Sequence, residues 1–177
     1  MQYFIITLCF LFLGFNGHPA AAKDVTLQPF VHVYFSPHGE CTEAIVDAID
    51  QARNEILVQA YSFTSVPIAK ALVEAHNRGV RVTIILDRSQ RRTRYSSADF
   101  TAHAGIATYI DSVHAIAHNK VMIIDAMTVI TGSFNFTKAA EEKNAENLLV
   151  IRSKELSKAF TENWMAHKGH SERYEGR

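Results

Sequence analysis

The sequence predicts an α/β fold: a mixed, largely parallel sheet flanked by helices, in one domain. In the first half, apolar runs of strand length alternate with segments whose apolar residues recur at helical spacing. In the second half, further short apolar runs precede a closing helix. With 8 Gly and 4 Pro in 177 residues, no flexible linker divides the chain.

The first half is a β-α-β-α-β series. Its segments are a strand at 31–35, a helix at 41–53, a strand at 56–63, a helix from Ile68 to Gly79 and a strand at 80–86. Gly79 stands where a left-handed helix cap is expected. The strand at 80–86 is almost continuously apolar, which is typical of a strand covered on both faces. The series therefore favours a parallel or mixed sheet.

The second half contains shorter elements. Strands are predicted at 121–124, 128–131 and 147–151, and Leu156, Phe160 and Trp164 repeat every fourth residue on a closing helix. The polar tail after Trp164 is expected to be frayed.

Composition excludes several functional classes. The chain is 47% hydrophobic and 20% charged, which excludes a disordered or low-complexity protein. Lys and Arg total 18 and Asp and Glu total 18, so the net charge is zero. A protein that binds nucleic acid through bulk charge has a basic excess, so any polyanion must be met by a local patch or an active site.

The N-terminus resembles a secretory signal. Residues 3–15 form an apolar run, too short to span a bilayer comfortably, and Ala20 to Ala22 fit a signal-peptidase site. We therefore expect a signal peptide at 1–22, a single domain at 23–177, export to a periplasm or the medium, and no membrane segment after cleavage. Cys41 is then the lone cysteine, expected to be a buried thiol, with intermolecular pairing as the alternative.

The most informative pattern combines His118 and Lys120 with Ser133 and Asn135. Side chains two apart on a strand share a face, so each pair points one way. If the two strands are neighbours, an imidazole, an ammonium, a hydroxyl and a carboxamide converge, and three of them can bind phosphate oxygens. Asp125 has the opposite parity and is expected to anchor the intervening turn. Taken singly, each residue could equally lie on an ordinary surface or turn.

The combined pattern resembles a known family. His118-x-Lys120-x4-Asp125-x6-Gly132-Ser133-x-Asn135 matches the signature of the phospholipase D superfamily without departure. Segments 34–37, 60–64 and 144–147 are also similar to that family, so the resemblance covers nearly all of residues 23–177. Among its members the chain most resembles small bacterial endonucleases that carry one motif and resist EDTA.

The resemblance implies a mechanism and an assembly. His118 would attack a phosphodiester to give a phosphohistidine, and a second histidine would protonate the leaving oxygen. Lys120, Ser133 and Asn135 would stabilise the phosphate, without metal or cofactor, and Gly132 would be structural. Glu146 matches the family carboxylate that bonds the nucleophile's other ring nitrogen, although it could also be a surface residue.

The family carries two motifs per active site, and this chain has one. A partial second copy at 76–78 lies in a predicted helix and has Thr83 where Asp is needed. The resemblance therefore implies a homodimer that shares its active site.

Metal hydrolysis is the rival chemistry. His114 and His118 could bind zinc if residues 114–118 were helical, but the run after them is strand-like and no third ligand stands at a convincing spacing. The other histidines of residues 23–177 have no visible partners in the sequence and are interpreted as structural or surface residues: His32, His38, His76, His103, His167 and His170.

The substrate is indicated by an arginine-rich loop after the strand at 80–86. Its arginines, which could line a phosphate groove or simply form a solvated loop, are Arg88, Arg91, Arg92 and Arg94. We expect DNA or RNA as substrate, because the chain has no spare amphipathic helix or long apolar loop to enter a lipid surface. A phospholipase D acting on phospholipids is the alternative, and a non-catalytic nucleic-acid-binding dimer is a third reading.

Overall fold

The computed structural model describes residues 30–93 and 96–177. The predicted signal peptide at 1–22 and Arg94 lie outside the described residues.

In the described part of the chain, eight strands form a single sheet, which confirms the predicted mixed α/β class. The strands are β1 (Val31–Ser36), β2 (Glu55–Ala60), β3 (Arg81–Asp87), β4 (Ala107–Asp111), β5 (Lys120–Ile124), β6 (Thr128–Gly132), β7 (Glu146–Arg152) and β8 (Glu172–Tyr174). The helices are α1 (Cys41–Asp50), α2 (Val66–Asn77), α3 (Ala98–His103), α4 (Lys138–Glu142) and α5 (Lys154–His170), with a 3₁₀ turn at Arg88–Arg91. The strand order is β1-β7-β6-β5-β2-β3-β4-β8.

The sheet is less parallel than the sequence predicted. Only β2–β3 and β3–β4 are parallel pairs, and the other pairs, β1–β7, β7–β6, β6–β5, β5–β2 and β4–β8, are antiparallel. A parallel neighbour requires a long crossover, and α2 and α3 supply the two that return to the adjacent strand. β1 does not continue this series, because it pairs with β7 at the far edge.

Several elements were not predicted. The short α3, β4 and α4 carry too few residues for a clear periodic signal. The expected frayed tail is wrong: α5 runs to His170 and β8 pairs with β4. The Tyr174 hydroxyl donates a hydrogen bond to Asp99, and the Arg177 guanidinium pairs with the same carboxylate. These tertiary contacts order a polar segment that has little hydrophobic patterning.

Apolar side chains cover both faces of the sheet. On one face, α1 and α2 bury side chains such as Ile45, Ile49 and Leu72. On the other face, α5 places Trp164 in a smaller cluster with Ile85, and the indole N–H donates to the Val58 carbonyl at 2.9 Å. The central strands are thereby held between two layers. Gly79 caps α2 with φ of 92°, as predicted.

The β5–β6 connection is a tight turn. Asp125 and Ala126 both have positive φ, 52° and 49°, and the Met127 N–H donates to the Ile124 carbonyl at 3.0 Å. Two consecutive positive φ values are the geometry of a type I′ turn.

The Asp125 carboxylate holds that turn against the start of β2. It accepts backbone N–H bonds from Arg53, Asn54 and Glu55 at 2.8–2.9 Å. Burial alone would raise the pKa of Asp125, but the backbone hydrogen bonds bring it below its ordinary value.

Cys41 is fully buried at the start of α1. Burial, with a contribution from Glu141, raises the pKa of its thiol to about 11. A buried protonated thiol is a poor partner for an intermolecular disulfide.

Within residues 30–93 and 96–177, no helix has both the length and the apolar character to cross a membrane.

Candidate functional site

Strand direction brings the two halves of the motif to one edge of the sheet. β5 runs antiparallel to both β2 and β6, so its first residue lies beside the last residues of its neighbours. Lys120 is opposite Ala60 at the end of β2, and Gly132 at the end of β6 is opposite Leu148 near the start of β7. The residues before Lys120, after Gly132 and before Leu148 therefore lie at the same edge.

His118 and Lys120 share an aromatic neighbour that the sequence analysis did not single out. The rings of Tyr61 and His118 lie 4.5 Å apart between centroids, and the Lys120 amine lies 5.2 Å from the Tyr61 centroid. His118 is exposed, whereas the Lys120 side chain is only 7% exposed. Tyr61 follows β2 directly, and its backbone N–H donates to the Asn119 carbonyl at 2.8 Å. It therefore supports the segment that carries His118.

The electrostatic environment of Lys120 is mixed. Burial lowers the pKa of its amine below the ordinary value, and the negative charge of Glu146 acts in the opposite direction. Lys120 is thus a desolvated cation with a carboxylate within electrostatic range. Such a group binds an anion more strongly than a solvated lysine does.

The second half of the motif is anchored by the backbone of Asn147. The Ser133 hydroxyl accepts a hydrogen bond from the Asn147 N–H at 3.0 Å, and the Ser133 N–H donates to the Asn147 carbonyl at 3.1 Å. Gly132 has φ of 148°, and a Cβ there would lie 2.2 Å from the same carbonyl oxygen. Only glycine lets β6 and β7 approach this closely.

Asn135 carries an unsatisfied polar group. Its carboxamide oxygen is buried and has no hydrogen-bond partner in the described chain. Such groups are rare, since each costs about 1–3 kcal/mol. The Asn135 amide group is therefore available to interact with a ligand at this edge.

Glu146 lies at the first position of β7, opposite Ser36. Its carboxylate accepts a hydrogen bond from the Asn144 side chain at 3.0 Å. Within the described chain no hydrogen bond joins Glu146 to His118, the bond that the resemblance implies. What the structure shows is its electrostatic effect on Lys120.

Asp87 fixes the loop that leads to His118, and the sequence analysis missed it. The Asp87 side chain is 3% exposed at the end of β3. Its carboxylate accepts N–H bonds from Ala117 at 2.8 Å and from Ser89 at 2.9 Å. The sequence feature that could have identified Asp87 is an acidic residue at the end of a buried strand.

The arginine-rich loop also lies at this edge, because β3 is parallel to β2. Arg88 and Arg92 are exposed. Arg91 is instead engaged in an ion pair with Glu172 at 2.7 Å. The loop therefore presents two exposed arginines among its described residues.

The rival zinc pairing of His114 with His118, which the sequence disfavoured, is not formed in the structure. Residues 112–119 form a non-helical loop, so the two rings are not brought to one helical face. The His114 ring faces Asp111 instead. His167 and His170, interpreted as having no partners, face the same carboxylate from α5.

The chain is similar to known proteins over most of its length. Residues 45–167 match the family model described as cardiolipin synthase, PLD-like domain. The chain is 44% identical to a phospholipase D of Rickettsia felis over 142 residues, which are 80% of this chain and 71% of that protein.

Two solved structures are also similar to this chain. A phospholipase D family member, Nuc from Salmonella typhimurium, superposes with a TM-score of 0.80 at 43% identity, covering 83% of this chain and 99% of that one. NucT from Helicobacter pylori has the same fold, with a TM-score of 0.76 at 23% identity over 82% of this chain and 99% of that one.

Proposed function

Because the chain belongs to the phospholipase D superfamily of phosphodiesterases, we propose that it is a metal-independent endonuclease that hydrolyses DNA or RNA through a covalent phosphohistidine. The observation that carries the proposal is the meeting of the two halves of the motif at one sheet edge. A buried cation, a hydroxyl and a carboxamide lie there with an exposed imidazole.

The first step is an in-line displacement at phosphorus. A ring nitrogen of His118 forms a bond to phosphorus as the P–O bond to the leaving group breaks, and a second, protonated histidine gives its proton to that oxygen. Lys120, Ser133 and Asn135 stabilise the extra negative charge on the non-bridging oxygens in the transition state. The cationic phosphohistidine is stabilised by the nearby carboxylate of Glu146.

The second step is hydrolysis. The histidine that gave its proton now acts as a base and removes a proton from water, which attacks phosphorus. The P–N bond breaks, and His118 is regenerated as a neutral imidazole. Because one imidazole must be neutral while the other is protonated, the rate should be bell-shaped between mildly acidic and neutral pH. A flat profile from pH 5 to 8 would contradict the two-histidine scheme.

The second histidine is supplied in this proposal by a second copy of the chain. The His118 side chain is exposed at the sheet edge, so it is accessible to a partner. Sedimentation analysis should give a dimer, and a catalytically active monomer would contradict this step.

Nucleic acid is favoured as substrate by the charge beside the site. Arg88 and Arg92 are exposed at the same edge of the sheet and can bind backbone phosphates next to the scissile one.

A phospholipase D is the second candidate, because one structural observation favours it. Val113 and Ile116, in the loop before His118, are exposed apolar side chains. Apolar residues beside the reacting group could contact lipid chains. The name phospholipase D, carried by the relative from Rickettsia felis, also points to lipid.

Plasmid nicking in excess EDTA tests the function. The intact protein should cut DNA, and His118→Ala should lose at least about 10⁴-fold in rate while still binding DNA. His32→Ala is the matched control, because His32 is exposed on β1. Circular dichroism in the same buffer must show folded protein.

Each other outcome has a defined meaning. Loss of cleavage by folded protein in EDTA would contradict the metal-independent mechanism. Cleavage of phosphatidylcholine vesicles without nicking would select the phospholipase. Binding of DNA without turnover on either substrate would indicate the non-catalytic dimer.

We also propose export to a periplasm or the medium, on the strength of the apolar run and the alanines before Lys23. Sequencing the N-terminus of the protein from the producing cell should begin at Lys23. A protein that retains residues 1–22 would contradict this proposal.

A further inference from the structure

Four side chains converge at the end of β4, on residues that the proposed phosphodiesterase mechanism does not use. Asp111 closes β4, His114 follows in the next loop, and His167 and His170 lie one helical turn apart near the end of α5. One ligand atom from each lies within 4.8 Å of every other. The chain thus brings three imidazoles and one carboxylate to a single point from two segments that lie more than 50 residues apart in the sequence.

The ring nitrogens point at one oxygen. His114 Nδ1, His167 Nδ1 and His170 Nε2 lie 3.1, 2.9 and 3.2 Å from Asp111 Oδ2. Zinc bonded to nitrogen and oxygen at about 2.0–2.2 Å in a tetrahedron separates its ligand atoms by about 3.3–3.5 Å. The three nitrogen-to-oxygen distances are slightly shorter than that value, and no two of the four ligand atoms are more than 4.8 Å apart, so small side-chain movements are enough to accommodate the ion.

Hydrogen bonding alone accounts poorly for this convergence. A carboxylate offers about two acceptor positions per oxygen, and three ring nitrogens lie within 3.2 Å of Oδ2, of which His114 Nδ1 is also 3.3 Å from Oδ1. The Val113 N–H already binds Oδ1 at 3.1 Å. A cation placed among the nitrogens and the oxygen would use all four groups as ligands.

The local environment suits a metal ligand set. The Asp111 carboxylate is fully buried, and the Val113 N–H orients it as an outer partner typically does. The His114 side chain is 43% exposed and leaves a route for an ion to enter.

We propose that Asp111, His114, His167 and His170 bind one Zn²⁺ per chain. Imidazole nitrogen with a single carboxylate oxygen is a ligand set that selects zinc over magnesium or calcium, which take mainly oxygen. Four protein ligands leave no open position for water, so the site is structural rather than catalytic. The ion joins the end of α5 to the end of β4 and to the loop that leads to His118.

Zinc content and affinity test the site. Tag-free protein, purified without chelator and dialysed, should contain about one zinc per chain by mass spectrometry. After EDTA treatment and dialysis, added ZnCl₂ should rebind. At a hundredfold excess over its Kd it should raise Tm by about 5–10 °C.

Ligand variants make the test specific. Loss of a residue that only hydrogen-bonds a metal ligand typically lowers metal affinity 10–100-fold. Loss of a ligand itself should cost more, so H167Q and H170Q should each weaken zinc binding by at least about 100-fold. H32Q should bind like the parent, because His32 lies on β1 and outside the cluster. The parent substituted with Co²⁺ should show the strong visible absorption of a four-coordinate ion, and H167Q should lose it.

The outcome separates this proposal from the enzymatic one. Cleavage at 25 °C by folded, zinc-free protein is expected, since zinc takes no part in the proposed chemistry. Zinc below about 0.1 per chain that does not rebind would overturn the site, and so would equal affinity in the parent and both ligand variants.

Discussion

The amine of Lys120 donates a hydrogen bond to the backbone carbonyl of His118 at 2.7 Å. The two residues are therefore joined by more than their shared contact with Tyr61. The bond turns the Lys120 side chain back along its own chain, toward the exposed imidazole. It leaves the other amine protons free to donate to a bound anion.

Replacing Lys120 by methionine should separate activity from stability. Lys120→Met removes the cation that we propose stabilises the phosphate, so kcat should fall by at least about 100-fold. Stability at pH 7 should not fall, because the variant also removes the cost of burying a charge. Kinetics and thermal unfolding of the folded variant check both expectations.

The sign of the pH effect follows from the lowered pKa of Lys120. The unfolded state binds the proton more tightly, so the burial cost is present at neutral pH. It disappears as the pH rises from the folded pKa toward the ordinary value. The stability difference between the parent and Lys120→Met should therefore shrink at high pH. A difference that grows with pH would show that burial is not the dominant effect.

Asp87→Asn should loosen the loop before His118. An amide that turns its NH₂ toward either N–H cannot accept that bond, so unfolding should become easier by about 1–3 kcal/mol. The larger effect should be on kcat rather than KM, because the loop positions His118. Denaturant unfolding and steady-state kinetics give the two measurements.

Asp99→Asn is the matched control for this variant. Asp99 bonds Tyr174 and Arg177, away from the loop. The Asp99→Asn variant should lose stability, but its kcat should be unchanged at a temperature where the variant is folded. Equal kcat in the parent and Asp87→Asn would argue against a positioning role for Asp87.

Gly132→Ala should damage both the fold and the site. A Cβ there meets the Asn147 carbonyl oxygen at 2.2 Å, so β6 and β7 must separate where Ser133 is anchored. We expect a loss of at least about 2 kcal/mol in unfolding free energy.

Gly169→Ala tests the opposite case within α5. A Cβ at Gly169 meets no atom within 4 Å, and alanine favours a helix by about 1 kcal/mol over glycine. This variant should be as stable as the parent or more stable. If both glycine variants behave alike, close strand approach is not what Gly132 provides.

Sequence reasoning located the parts of the site that lie close together in the chain. The motif residues lie at or just beyond the ends of two neighbouring antiparallel strands, β5 and β6, joined by one turn, so strand parity and a short hairpin were enough to bring them together. Tyr61 and Asp87 come from other strands. Their place beside the motif depends on sheet order, which local periodicity does not encode.

The histidine cluster was missed for the same reason. His167 and His170 are one turn apart on a polar helix end, a pattern that looks like solvent-exposed surface. They become partners of Asp111 only once α5 crosses the sheet and ends near β4. The only sequence signal was the helical spacing of the two histidines, and this spacing does not predict a site unless the position of Asp111 is also known.

The turn at Asp125 and Ala126 lies at the opposite end of β5 from Lys120, yet it determines what Lys120 faces. Each residue inserted into or deleted from this turn would shift β6 along β5 by about 3.3 Å. A shift of that size is larger than a hydrogen bond can tolerate. It would also reverse which of Ser133 and Phe134 faces the proposed phosphate site. Changes in the length of this turn would therefore abolish the proposed activity without altering any of the proposed site residues.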